Sequence, residues 1–226
     1  MAKFLRFVGI LFMGLTAALT ILSGIGTSCV AIDATRYSSM KALADYQWLY
    51  VFYVLVTTAI GIFGVRATIS LVRGHKTAYR DALVALSSGT LIGAIHIFTS
   101  RAIRGSSMPV DVIVYATVFT LAIFLIFGLP KISRMVGFEE GSDNDKTAAG
   151  GMTAIVAGML FLSVHMWAEP THMIDDVNYA DAFHIRMMLV GGGLVLLGIG
   201  LLWKSVWCLE QEKGKSRKSI PLFSKR

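Results

Sequence analysis

The chain has 226 residues, 55% of them hydrophobic and only 15% charged, with a formal net charge of +7 and a mean hydropathy of +0.66. A soluble domain carries about 25% charged residues, so this composition excludes a water-solvated globule and makes lipid the main solvent. The positive charge does not indicate nucleic acid, because in so apolar a chain the placement of lysine and arginine matters more than their sum.

A helix needs about 20 predominantly apolar residues to cross the hydrocarbon core. Six stretches meet or approach that length: 4–25, 48–65, 82–99, 112–129, 148–168 and 187–206. Each must satisfy its own backbone N–H and C=O groups in lipid, which selects helix. The runs do not alternate, which argues against a barrel. The expected fold is an all-α integral membrane protein: one bundle of six transmembrane helices over 1–209, then a basic tail over 210–226.

The first span follows Lys3 and Arg6 and ends in Ser23-Gly24-Ile25-Gly26-Thr27-Ser28-Cys29. That pattern also resembles a secretory leader, with Cys29 as a lipoprotein-type cleavage site. Gly26 stands where such sites usually carry an aliphatic residue, so retention as a helix is the reading taken here. The loop 31–45 has room for a short interfacial segment. Tyr46, Trp48, Tyr50 and Tyr53 open the second span as an aromatic belt, matched by Trp167 on the fifth and by Trp203 and Trp207 on the sixth.

The third span is diluted by Ser87, Ser88, Thr90 and His96 and should face protein instead of lipid. Gly89 and Gly93 on it, and the pairs Gly191/Gly198 and Gly193/Gly200 on the sixth span, are read as close-packing positions. The segment 106–111 reads as a helix start, with Pro109 and Asp111 in the first turn. The loop 137–146 is polar, and the tail beyond Leu209 is basic. Cys29 and Cys208 fall near opposite faces, too far apart for a disulfide.

With the N-terminus inside, 16 of the 21 lysines and arginines fall on the inner side. Only Arg36, Lys41, Arg101, Arg104 and Arg186 fall outside. This positive-inside split predicts both termini in the cytoplasm and, by its form, a bacterial plasma membrane.

Four of the five histidines and seven of the fourteen acids gather at the outer side. Two chemistries suit them. His165 and Glu169 stand four apart on one helical face with His172 close behind, an imidazole and carboxylate set that suits a transition metal. His96 and His165, at matched depth on different spans, have the geometry required to hold a b-type haem. The bland alternative leaves both histidines bonded to neighbours or water. No mid-bilayer carboxylate marks an ion-coupled carrier, and Gly24-x-Gly26 lacks the strand and later glycine of a nucleotide loop.

Three functions remain open at this level. The leading one is a non-catalytic accessory or small binding protein with its working face outside, in contact with the lipid bilayer and with a larger membrane complex or a second copy of itself. The next is a redox or metal protein using His96, His165, Glu169 and His172. The third is a transporter or channel for a small uncharged solute, lined by residues such as Ser87 and Thr90.

Overall fold

The structure, a computed structural model, describes residues 2–138, 143–174, 177–178 and 184–218, and within them the side chains of 3–37, 40–138, 144–166, 184–208 and 211. Its helices are α1 (Ala2–Asp33), α2 (Gln47–Arg73), α3 (Ala78–Arg104), α4 (Val110–Phe127), α5 (Pro130–Val136), α6 (Asp143–His172) and α7 (His184–Lys218). Six of them, all but the short α5, are long and apolar enough to cross a membrane. Each coincides with one of the six apolar stretches.

α1 is the central helix. Some 61% of its apolar span is buried, against 17% to 39% in the other five, and it packs on α2, α4 and α6. The α2–α3 and α3–α4 pairs close one side, and the α6–α7 pair forms the other. At one end of the bundle Ile10, Met13, Leu71, Leu86, Phe124, Phe127 and Phe138 make the largest core cluster. Tyr79 donates there to the carbonyl of Phe124 at 2.7 Å, and Arg6 to that of Gly137 at 2.9 Å.

The turns are chemically explicit. α2 and α3 both end on glycines with left-handed backbone, Gly74 (φ 68°) and Gly105 (φ 74°), a conformation that costs residues with a Cβ. The loop after α1 is not open chain. It forms two 3₁₀ helices, Ala34–Arg36 and Ser38–Tyr46, in the loop where the sequence left room for a short segment. Gln47 turns its amide back onto the carbonyls of Ala31 and Ile32, satisfying acceptors that every helix end leaves over. At the start of α4, Asp111 lies in the first turn as read from the sequence, whereas Pro109 sits just before it.

α6 and α7 meet on glycine. A Cβ at Gly191 would lie 2.8 Å from the carbonyl oxygen of Gly158, and one at Gly151 would lie 2.9 Å from that of Gly198. Both helices therefore contribute glycines seven apart, and the antiparallel backbones touch. The second glycine pair of α7 behaves otherwise: a Cβ at Gly193 or Gly200 would meet nothing within 4 Å. The packing role holds for Gly191 and Gly198 alone. On α3, Gly93 admits the side chain of Val114, and Gly89 faces Thr117.

Three further readings change. α2 runs on to Arg73, past the end of the apolar stretch 48–65, so Arg66 lies inside a continuous helix. The backbone of α7 stays helical to Lys218, into the basic tail. Tyr50 and Tyr53, expected in an interfacial belt, are 2% and 1% exposed. Their rings pack against α3, where their hydroxyls find partners. Cys29 and Cys208 are not joined in a disulfide, in keeping with their separation.

Candidate functional site

The site lies at the end of the bundle that carries the 3₁₀ segment, and His96 is its pivot. Its imidazole stacks on Tyr53 at 4.2 Å between ring centroids and meets Tyr50 edge-on at 5.4 Å. Tyr50 shares a 2.7 Å hydrogen bond with Ser100, and Tyr53 a 3.0 Å bond with Thr99. Two turns of α2 are thus pinned to one turn of α3 with the histidine held between them. A buried tyrosine needs a partner for its hydroxyl, and α3 supplies one for each.

His96 itself is only 4% exposed, yet among the described residues no group hydrogen-bonds its ring nitrogens. Two cavities of the bundle open onto it. The larger, about 110 Å³, is walled by Leu22, Ile25, Leu43, Val164 and Met187, with Ser100 and Arg104 among its few polar side chains. The smaller, about 20 Å³, continues inward between Thr20, Ser23, Thr57, Gly89, Gly93 and Thr117, a volume and polarity that suit about one water molecule. His96, Ser100 and Arg104 fall four residues apart on α3 and all line the larger cavity, so polar groups descend one helix face in single-turn steps.

α1 supplies the opposite polar wall. Thr16, Thr20, Ser23 and Thr27 are all buried and follow the spacing of one helical face. Thr20 and Thr27 donate to the carbonyls of Thr16 and Ser23, each at 2.8 Å. Thr16 bridges to Thr120 of α4 at 2.7 Å. The sequence reading passed over this stripe, although its four-three-four spacing of hydroxyls in an apolar run was there to be found.

At the rim of the cavity, Arg101 donates to Ser107 at 2.9 Å and pairs with Asp111 at 3.5 Å, while Ser107 donates to the same carboxylate at 3.1 Å. Arg104 reaches instead to the carbonyl of Met108.

The histidines read from the sequence separate into two neighbourhoods. The ring of His165 lies edge-on to His184 at 5.0 Å, its Nδ1 is buried without a partner, and it lines neither cavity. His96 has Tyr50 and Tyr53 for neighbours. The two proposed haem ligands thus have different ring partners. Of the metal set, only the His165 side chain is described; those of Glu169 and His172 lie outside the described residues. Among the described residues no group of three or more histidines, cysteines or acids comes together. Ser87 is exposed, and Thr90, though its hydroxyl is buried and unpartnered, lines neither cavity.

No protein-family model, curated protein or solved structure matches this chain. The functional reading rests on the site alone.

Proposed function

We propose that the protein is a non-catalytic, multi-pass membrane binding protein whose outer-side cavity takes up a small, largely apolar molecule carrying a hydrogen-bonding group. The observation that carries this reading is His96: nine-tenths buried, without a hydrogen-bond partner among the described residues, and facing both cavities. A water, or a hydrogen-bonding group of a ligand in the cavity, can pair with an imidazole so placed. The 16-to-5 split of basic residues supports placing the cavity end outside and both termini in the cytoplasm.

Binding fits the lining better than catalysis. Among the described residues no carboxylate lines the larger cavity. Ser100, the hydroxyl one turn from His96, is bonded to Tyr50 and not to the imidazole, so no nucleophile–base pair forms there. The test uses a photoactivatable long-chain alcohol on the protein in membranes. Labelling should map to 22–30 of α1 and be abolished in Gly26→Leu. Gly26 lines the cavity, and a Cβ there meets nothing within 4 Å, so leucine fills the space without displacing backbone. Undiminished labelling of that variant would refute the reading.

A second reading, a transition-metal site, is supported by the juxtaposed rings of His165 and His184. Glu169, one turn beyond His165 in α6, would complete the donor set. Elemental analysis of protein purified without chelators tests it. Near-stoichiometric metal that falls in His184→Ala would favour it, and a metal-free protein would dismiss it.

A further inference from the structure

Arg104 stands at the rim of the larger cavity, eight residues and therefore roughly 12 Å along α3 from His96. Among the described residues it is the only charged side chain in the lining. One Nη donates to the carbonyl of Met108 at 2.6 Å, while Nε is buried and has no hydrogen-bond partner. Among the described residues Arg104 makes no direct ion pair; Asp111, which attracts it from a distance, is paired with Arg101 and Ser107 through one oxygen, and its other oxygen is buried without a hydrogen-bond partner. A guanidinium does not shed its proton, and a partly buried charge facing an apolar space is costly until an anion joins it.

The cavity is accordingly polarised along its length. A fixed cation stands at the rim, aliphatic walls from Leu22, Ile25 and Met187 form the body, and the imidazole of His96 lies deep inside. On the reading of this cavity as a binding site, we infer that its ligand is a single-chain carboxylate amphiphile, with its carboxylate on Arg104 and its chain along the aliphatic walls. At about 110 Å³ the cavity is smaller than the engineered cavity of roughly 150 Å³ that takes benzene, so it holds a short stretch of a single chain. The planar fork of a guanidinium matches a carboxylate. One guanidinium balances the single charge of a carboxylate, whereas a phosphate monoester brings up to two.

Three chain-matched photoactivatable probes decide the matter: a carboxylate, an alcohol and a phosphate monoester. They are applied to wild type, Arg104→Gln and Gly26→Leu in membranes, at a pH well above the carboxylate range. A charge-assisted hydrogen bond predicts about tenfold or greater preference for the carboxylate over the alcohol in wild type. That preference should collapse to about one in Arg104→Gln. Retained labelling of Arg104→Gln by the alcohol shows that this variant has folded. Equal labelling by acid and alcohol, lost only in Gly26→Leu, would overturn the carboxylate and leave the cavity as a binding site. Preference for the phosphate monoester would overturn it in favour of a phosphate head group. Failure of every probe to label the cavity would overturn both.

Discussion

The imidazole of His96 lies nearly parallel to the ring of Tyr53, 14° between planes, and nearly perpendicular to that of Tyr50, at 75°. Two aromatic residues one helical turn apart thus grip a histidine from two directions. Both hydroxyls are anchored on α3, so the ring is oriented by a frame that its own nitrogens do not contribute to.

That frame can be weakened without touching the histidine. Tyr50→Phe keeps the ring packing and removes the bond to Ser100, leaving a buried serine hydroxyl unpaired. A loss of about 1 kcal/mol is expected, seen as a lower midpoint in thermal melts of the solubilised protein. Tyr53→Leu, which also removes the stacked face, should cost more. Equal stability of all three proteins would show that the frame is incidental.

The glycine contacts of α6 and α7 predict opposite outcomes on two faces of one helix. Gly191→Val drives a branched side chain into the carbonyl of Gly158 and should separate the helices, with loss of folded protein after extraction. Gly193→Ala points into open space and gains helix propensity, so it should be neutral or stabilise by up to about 1 kcal/mol. If both variants behave alike, the packing register is wrong.

The bond between Thr16 and Thr120 joins two helices in the middle of the bundle. Interhelical hydrogen bonds in membrane proteins average about 0.6 kcal/mol of coupling. A double-mutant cycle with Thr16→Val and Thr120→Val should return a value near that. Zero coupling would place the two hydroxyls apart.

α1 is enclosed on several sides by α2, α4 and α6. A chain lacking 1–28 therefore exposes Thr68, Thr120 and Thr153, buried polar residues of those helices, and should fail to accumulate in the membrane. Accumulation of that truncated chain at wild-type levels would contradict the central position of α1.

The membrane spans were legible because lipid imposes a length and a composition on every crossing. The site was legible only in fragments. His96 stood out as a polar residue in an apolar run, but its neighbours come from α1 and α2, and no linear pattern states which helices adjoin. Pairing His96 with His165 followed from depth alone; the partner of His165 is His184, brought close by the packing of α7 on α6. Tyr50 and Tyr53 looked interfacial because their position along the helix was readable and the direction they face was not. Arg104 registered as one of five outer cations, and its place in the cavity lining, with no direct ion pair among the described residues, needed coordinates to be seen.

The threonines of α1 bear on how the bundle is assembled. α1 precedes the other five spans in the chain and is also the most enclosed of the six, so it enters the bilayer before the helices that will surround it. Bare hydroxyls in hydrocarbon would oppose that step. Thr20 and Thr27 carry their own acceptors, the carbonyls of Thr16 and Ser23 one turn back along the same helix. The helix can therefore wait in lipid with those hydroxyls already satisfied. When α4 arrives, Thr16 exchanges lipid for Thr120, and the stripe that was tolerable in isolation becomes the seam along which the bundle closes.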